Sequence, residues 1–336
     1  HHQLDRLDFR FALEDQYPQH EFMLQYGESD GQHIARRLAD GGVSFYFEYD
    51  EENDSDVIVF ADHSYAWKRG LAIPFRNPAG LFDGGMESVW DMSVSRKVIP
   101  KSMLLNDENY RQAQQDMRSS AENNPDYPAL FGEDHRWGEH YPQPGKEYAL
   151  APGEGIWYAK RRQERWLTEQ VTFVGKSTCM NLRPGMVITT PGKVWPDAPD
   201  GLLIVSTQCE RASRDIAYWV TFTAIPWNQD HTYRPAEQPW PQVPGTLSAR
   251  ISSTVEKDVY KRQKDTYAHL DPQGRYRIRF DLDLAEWKKG FESCWVRLAK
   301  PYGGDGYGFH WPLLDGTGVA IQFADGNLDR PYIAHV

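Results

Sequence analysis

Two histidines with acidic neighbours form the arrangement that most resembles a metal site. His135 and His140 lie close to Glu133, Asp134 and Glu139 in the sequence, and imidazole and carboxylate groups together ligate zinc and related metals. Their spacing matches no established ligand motif, however, so a solvated loop is the favoured interpretation. We therefore predict no metal-ligating residues.

A glycine-dense loop is the second candidate, because such loops can cradle phosphate at the start of a helix. It contains Gly303, Gly304, Gly306 and Gly308. Neither a Lys-Ser/Thr pair nor a helix start follows, and the neighbouring residues are aromatic. The pattern predicts a structural loop in which glycines let the backbone turn beside bulky rings.

The sequence gives little indication of acid–base or nucleophilic catalysis. Paired carboxylates occur, as at Asp281 and Asp283, but nothing indicates an apolar pocket that would raise the pKa of one of them. No serine lies in a Gly-x-Ser-x-Gly context. Three widely separated cysteines predict reduced, structural thiols: Cys179, Cys209 and Cys294. We predict no catalytic residue and no cofactor.

The charge balance disfavours nucleic acid as a partner. The chain has 37 basic and 48 acidic residues, a net charge of -11, whereas polyanion binding needs a basic surface. Arg275, Arg277 and Arg279 beside Tyr276 resemble an oligonucleotide-binding face. The aspartates that follow them favour ion-paired neighbours on adjacent strands instead.

Length and hydropathy indicate a multidomain chain without a membrane anchor. At 336 residues and 38.8 kDa, two or three domains are expected. No apolar run reaches the roughly 18 to 20 residues that a membrane-spanning helix needs. The first residues lack a basic head followed by an apolar stretch, so neither stable membrane insertion nor a cleaved secretion signal is expected.

The elements that would position these residues are mainly strands. Ser29 and Gln32 have capping-box spacing, and an apolar stripe follows until a Gly-Gly pair, which predicts a short helix. Alternation over residues 43–49, continued at 57–61, predicts a β-hairpin. Further predictions are a helix over 107–119, a long loop or crossover over 123–155, and strands over 168–175 and 215–226.

The C-terminal residues predict a small closed barrel. A turn signal at 271–274 leads into alternating Tyr276, Ile278 and Phe280. Three more short strands are predicted over 293–300, 318–324 and 328–336, and about five strands suit a barrel of this size. Before the barrel, prolines between residues 226 and 245 predict an extended connector.

Several stretches resemble the VgrG family, the spike proteins of the bacterial type VI secretion system, which are related to phage tail hub and spike proteins. Gln-Tyr-Gly-Glu-Ser-Asp at residues 25–30, with the helix and Phe-rich strand that follow, resembles the hub signature. Residues 175–177 and 181–185 resemble the segment that opens a second hub barrel. Residues 271–280, 293–299 and 329–334 resemble the oligonucleotide/oligosaccharide-binding (OB) barrel of the spike.

The resemblance implies a fold that is mainly β with short helices: α+β hub-like barrel domains followed by a five-stranded OB-type barrel. The expected divisions are a hub-like α+β region at 1–75, a second hub-like β-barrel at 76–226, a proline-rich connector at 227–244 and the OB-type domain at 245–336. Family members carry a region before the first division and a triple-stranded β-helix after the last, so we expect a fragment.

The expected site residues serve packing and assembly. The barrel should be anchored by Trp295, Tyr276, Phe280 and Trp311, while Gly274 and Gly326 should set turns. No catalytic, cofactor-binding or metal-ligating residue is assigned.

The resemblance also implies a mechanical role for the protein. A homotrimer would sit on the secretion tube protein and carry effector or adaptor proteins, assembled in the cytoplasm and then injected into a target cell. Nucleic acid is not an expected partner. Three alternatives stay open: the baseplate hub of a contractile phage or phage-like particle, a tail-associated glycan hydrolase, and a nucleic-acid-binding OB protein.

One short segment predicts an origin outside the protein. Asp-Val-Tyr-Lys-Arg-Gln at residues 258–263 is the translation of the sequencing-adapter DNA GATGTGTATAAGAGACAG. It interrupts the first hairpin predicted for the barrel. The alternative is a charged hairpin tip.

Overall fold

The chain folds into two compact units. One consists of His1–Pro18 and Ala35–Gln238, and the other of Gln19–Ile34 and Pro239–Val336. Both are mainly β, with two α-helices among the described residues, which confirms the predicted fold class. The adapter-like stretch 258–263 lies outside the described residues. The computed structural model describes residues 8–76, 86–122, 129–146, 150–210, 218–230, 232–253, 267–304 and 306–336.

A three-stranded sheet opens the first unit, with β1 (Phe9–Ala12), β2 (Ser44–Asp50) and β3 (Ser55–Ala61) in the order β1-β3-β2. Strands β2 and β3 form the predicted hairpin, and β1 runs parallel to β3. The pairing places alternate side chains on opposite faces of the sheet.

Helix α1 (Asp30–Gly41) precedes β2, as predicted. The Ser29 N–H donates to Gln32 Oε1 at 2.8 Å, and the Gln32 N–H donates to Ser29 Oγ at 3.3 Å. This reciprocal pair is the capping box. The helix stops because Gly42 adopts a φ of 74°, a left-handed conformation that glycine reaches without strain.

A six-stranded sheet carries the largest core of the first unit. Its central strands bury Phe173, Ile188 and Phe222. The strand predicted over 215–226 forms at Trp219–Pro226 in the described part, where Val220 and Ala224 are also buried. The strand order is β4-β10-β11-β12-β9-β5. The strands are β4 (Lys68–Ala72), β5 (Val89–Arg96), β9 (Val171–Ser177), β10 (Met186–Thr189), β11 (Leu202–Glu210) and β12 (Trp219–Pro226).

Helix α2 (Gly155–Gln170) was not expected from the sequence. Its Trp157 and Ala159 pack with Met103 and Leu105 in a separate core. The helix runs to Gln170, so the strand predicted from residue 168 begins only at β9. The facing sheet has the order β7-β6-β8 and contains β6 (Ser102–Asn106), β7 (Ser119–Glu122) and β8 (Glu133–Trp137).

The helix predicted over residues 107–119 is wrong. Only a single 3-10 turn, Tyr110–Gln112, forms there. Asp107 does not cap a helix, because its Oδ1 accepts the N–H of Glu108 at 2.7 Å and its Oδ2 accepts the N–H of Tyr141 at 3.0 Å. The side chain therefore joins two loops instead of starting a helix. The predicted loop at 123–155 contains β8.

The second unit contains a five-stranded barrel of order β14-β13-β18-β19-β15. A bridge between Tyr276 and Val296 links the ends of the row. Ile278 and Phe280 point inward, as the alternation predicted. A two-stranded ribbon, β16 (Gly303–Gly304) with β17 (Tyr307–Gly308), projects beside it. The barrel strands are β13 (Leu247–Ser252), β14 (Arg277–Phe280), β15 (Arg297–Leu298), β18 (Gly318–Phe323) and β19 (Pro331–His335).

Candidate assembly surface

The clearest surface feature of the first unit is a row of aromatic side chains on β2. Phe45, Phe47 and Tyr49 are 47%, 55% and 48% exposed. Tyr46 lies between them in sequence but points to the opposite face, where only 5% of it is exposed. The larger share of the apolar surface on this strand therefore faces solvent.

The neighbouring strands extend this row into a surface. On β3, Phe60 lies opposite Phe45 of β2 and Phe11 of β1. Ile58 likewise lies opposite Phe47 of β2 and Phe9 of β1. The ring centroids of Phe11 and Phe60 are 5.4 Å apart. We call this surface the outer aromatic face, and it consists of Phe9, Phe11, Phe45, Phe47, Tyr49, Ile58 and Phe60.

The size of the outer aromatic face indicates a protein partner. An aromatic side chain buries about 150 to 250 Å² when fully covered, so seven partly exposed apolar side chains present roughly 500 to 800 Å². The largest apolar patch of a typical monomer is about 300 to 600 Å². A standard interface needs about 800 Å² per partner. The face is large enough to provide most of one.

The inner side of the same sheet holds the face in place. Tyr46 packs with Trp67, Val187 and Leu203, and its hydroxyl donates to the carbonyl oxygen of Ala66 at 2.8 Å. Burial, reinforced by the charge of Glu48, raises the pKa of Tyr46 to about 12. The outer rings therefore stand on a sheet whose other face is packed and hydrogen-bonded.

A cleft of 280 Å³ borders the free edge of β2. Glu48 and Glu51 on one side face Lys68 and Arg183 on the other. Glu48 already accepts a hydrogen bond from the Arg10 guanidinium at 2.5 Å. Glu51 is exposed to solvent, so it does not lie in the enclosed apolar surroundings that acid–base catalysis uses.

The barrel residues singled out from the sequence fall into two groups. Tyr276 and Phe280 are buried in the core, with 2% and 3% exposed. Trp295 is half-buried, and the Arg277 guanidinium lies 4.6 Å from its ring centroid. Trp311 is 49% exposed and lies outside the buried cluster of the barrel. Its role in assembly stays a prediction.

Both predicted turn glycines have left-handed backbone conformations, with φ of 73° at Gly274 and 74° at Gly326. The Gly274 N–H donates to the carbonyl oxygen of Asp271 at 2.9 Å and closes the turn before β14. Such φ values favour glycine over any residue with a Cβ.

The glycine ribbon carries a second exposed aromatic cluster. Tyr302, Tyr307 and Phe309 are 56%, 60% and 55% exposed. The ring of Tyr302 lies 5.4 Å from that of Tyr307 and 5.8 Å from that of Phe309. A Cβ on Gly308 would come within 2.7 Å of the Gly303 Cα atom. The glycines are thus needed for the ribbon itself, in keeping with a structural loop.

The structure places the remaining candidates for chemistry in separate parts of the fold. His135 lies on β8, whereas His140 Nδ1 lies 3.8 Å from Asp107 Oδ1. Over the described ranges, no group of three or more His, Cys, Asp or Glu residues could hold a metal ion. Asp281 pairs across the sheet with Arg250 at 3.1 Å, the kind of ion pair that the sequence favoured.

The buried thiols are poorly suited to nucleophilic chemistry. Burial is the main cause that raises the pKa of both Cys179 and Cys294 to about 11, so both thiols are protonated at neutral pH and are weak nucleophiles. Within the described ranges, neither helix is long and apolar enough to cross a membrane.

The sequence analysis did not predict the outer aromatic face. The sequence does indicate it, because the alternating residues of β2 put aromatic side chains on both faces of the strand. A strand that is aromatic on both faces needs two partners, one on each side of the sheet.

Comparisons with known proteins agree with the geometry. The family model for the phage tail baseplate hub (GPD) matches residues 2–213, and the model for the type VI secretion system/phage-baseplate injector OB domain matches residues 267–335. The type VI secretion system spike protein VgrG4b of Pseudomonas aeruginosa is 27% identical over 97% of this chain and 40% of that protein. The actin cross-linking toxin VgrG1 of Vibrio cholerae is 24% identical over a stretch that covers 97% of this chain and 29% of the toxin.

A solved structure matches the whole chain. The E. coli c3393 protein, described as a component of the type VI secretion system with structural similarity to the T4 bacteriophage tail proteins gp27 and gp5, is 32% identical with a TM-score of 0.67. The match covers 100% of this chain and 68% of that one. The chain spans less than half the length of the curated relatives it matches. It belongs to the phage tail baseplate hub family, and its resemblance to the VgrG spike proteins is confirmed.

Proposed function

We propose that this chain is a structural part of a type VI secretion spike: a hub that associates into a homotrimer, caps the secretion tube and carries effector or adaptor proteins. It acts through assembly and not through catalysis. The protein is assembled in the cytoplasm and then leaves the cell by injection.

The observation that carries this proposal is the outer aromatic face. An enzyme concentrates its unusual features in a pocket of convergent polar groups, whereas the unusual feature here is a broad apolar sheet face. A ring of three identical subunits needs a heterologous contact, in which one surface of each copy meets a different surface of the next. The outer aromatic face supplies one of the two surfaces.

The hub model and the OB model, matched in that order along one chain, support the same role. The relatives VgrG4b and VgrG1a are both named type VI secretion system spike proteins. A second candidate is the hub of a contractile phage or phage-like particle, because both family models carry phage baseplate proteins in their descriptions. The two candidates can be separated by expressing this protein in a secretion-competent strain that lacks its own spike gene. Restored effector release would favour the secretion spike over the phage hub.

Native mass spectrometry of the native gene product tests the assembly directly. We expect the mass of three copies, and we expect the double substitution Phe45→Ser with Phe47→Ser to give a folded monomer. Phe131→Ser is the matched control, since Phe131 is 81% exposed but lies outside the outer aromatic face. A wild-type protein that stays monomeric at micromolar concentration would contradict the proposal.

A further inference from the structure

Strand β2 forms an open edge of the three-stranded sheet, because in the described part of the chain it pairs with β3 alone. In an antiparallel pair, alternate residues direct their N–H and C=O groups away from the partner strand. Within the described ranges, no backbone–backbone hydrogen bond outside this pairing involves residues 44–50. The open edge of β2 therefore presents backbone donors and acceptors to which a further strand can bind.

This edge lacks the features that usually prevent strand addition, which are a short strand, a lysine or proline on the edge, and a β-bulge. β2 has seven residues, contains neither lysine nor proline, and pairs with β3 over all seven without a register shift. Its two acidic side chains are engaged elsewhere. Asp50 accepts the N–H of Glu52 in the hairpin loop at 2.9 Å. Glu48 accepts from the Arg10 guanidinium of β1 at 2.5 Å.

The two end strands of the six-stranded sheet are irregular by comparison. β4 contains Gly70 at a φ of 109°, where its register with β10 shifts. β5 contains Asp91 at a φ of 52°, where its register with β9 shifts. Such irregularities bend an edge and interrupt the ladder in which a new strand would pair. β1, at the other end of the three-stranded sheet, has only four residues. Of these four end strands, β2 is the best suited to accept another strand.

The cleft beside β2 gives a further strand room along this edge. Its volume is 280 Å³, and residues 46–49 of β2 line one wall in succession. Residues 183–186 and Lys68 line the facing wall. A strand added here would bind the backbone of β2, and its side chains would alternate between the outer aromatic face and the cleft.

On the outer side, an added strand would lie next to the rings of β2. Phe45, Phe47 and Tyr49 are each about half exposed, so neighbouring apolar side chains would remove more of their surface from water. Aromatic and β-branched side chains on adjacent strands also pair favourably. This side therefore favours an apolar residue at every second position of the added strand.

On the cleft side, an added strand would meet two cations. Lys68 and Arg183 are both exposed, and in the described ranges neither is part of an ion pair. Of the two acidic side chains in the cleft, Glu48 already pairs with Arg10, which leaves Glu51 to balance two positive charges. The cleft side therefore favours acidic residues in the alternate positions of the added strand.

We propose that β2 binds an extended segment of a partner protein as a fourth strand, and that this segment alternates apolar with acidic residues. The inference goes beyond the proposed function, because it concerns a partner and not the association of copies. The two fail separately: a chain that stays monomeric but binds such a segment would contradict the trimer and support the docking site.

Fluorescence anisotropy with a dye-labelled peptide tests the docking site on the full chain. The probe has seven residues, the length of β2, and alternates valine with glutamate. We expect saturable binding, about tenfold weaker binding when lysine replaces glutamate, and none when every backbone N–H of the peptide is methylated. No saturable binding up to about 1 mM peptide, or equal binding of the glutamate and lysine peptides, would overturn the proposal.

Charge reversal in the cleft tests where the peptide binds. Lys68→Glu and Arg183→Glu change exposed side chains, and each should weaken binding of the glutamate peptide about threefold to tenfold and strengthen binding of the lysine peptide. Lys101→Glu is the matched control, since Lys101 is exposed but does not line the cleft. Folded cleft variants that bind both peptides as the control does would overturn the proposal.

Hydrogen exchange separates the partner segment from a second copy as the occupant of the edge. Binding of the glutamate peptide should slow exchange of amides within residues 44–50 by about tenfold or more, in the assembled as well as the dissociated protein. Protection confined to other strands would contradict the assignment. Binding to dissociated chains but not to the assembly would assign the edge to a second copy and overturn the proposal.

Discussion

The barrel and the three-stranded sheet place their aromatic side chains in opposite ways. On β14, Ile278 and Phe280 point into the core while Arg279 points to solvent. On β2, Phe45 and Phe47 point to solvent while Tyr46 is buried. The barrel closes on itself and has one interior, whereas the sheet has a second face that the described residues of its unit leave exposed.

This difference separates two uses of the same residue types. Rings inside the barrel stabilise the fold of a single chain, because folding itself removes them from water. Phe45, Phe47 and Tyr49 on the outer aromatic face stay about half exposed when one chain folds, so much of their apolar surface leaves water only when another surface covers it. In the proposed function, the outer aromatic face serves assembly, while the barrel core stabilises the fold.

The largest expected effect concerns the barrel core. Phe280 stacks against Phe22 at 5.9 Å and Phe323 at 6.4 Å, so Phe280→Ala leaves a cavity and should lower the free energy of unfolding by about 3 to 5 kcal/mol. Urea unfolding followed by tryptophan fluorescence would measure it. Leu282→Ala is the control, because Leu282 is 40% exposed and surface changes usually stay within about 0.5 kcal/mol.

An intermediate effect concerns the inner face of the three-stranded sheet at high pH. The pKa of Tyr46 is raised from its usual 10.0 to about 12, so the neutral hydroxyl stabilises the folded state. This contribution is complete below pH 10 and is lost as the pH rises through 12, a change of at most about 2 to 3 kcal/mol. Stability measured from pH 8 to 12 should fall more steeply for wild type than for Tyr46→Phe; parallel curves would count against the assignment.

The smallest effect on stability is expected on the outer aromatic face. Phe45→Ala should lower the free energy of unfolding of the dissociated chain by about 1 kcal/mol or less, the scale of one cross-strand aromatic pair, although Phe280→Ala removes the same ring from the barrel. Dilution-dependent sedimentation should show weaker association for Phe45→Ala. A loss of stability as large as that of Phe280→Ala would erase the contrast between the two regions.

Local signals explain which elements could be predicted from the sequence. Helix α1 has its start in the Ser29–Gln32 capping box and its end at Gly42. The hairpin and β14 have period-two alternation, and the turn before β14 has Asp271 and Gly274. Each of these signals depends on residues a few positions apart, so they are readable without tertiary structure.

Helix α2 and the outer aromatic face depend on distant partners. Arg162 and Arg165 are buried on α2 because Asp40, Glu139 and Glu237 from three other segments accept their hydrogen bonds. A basic, buried helix face looks like a solvated one when only its own sequence is read. Likewise, alternation on β2 defines two faces but cannot tell which one the chain itself will cover.

Hydroxyl-radical footprinting of the assembled and the dissociated protein tests the central claim most directly. Phe45 and Phe47 should be oxidised in the dissociated chain and protected in the assembly, while Phe280 should be protected in both. Equal oxidation of Phe45 and Phe47 in the two states would show that no subunit covers the outer aromatic face, and would contradict the account.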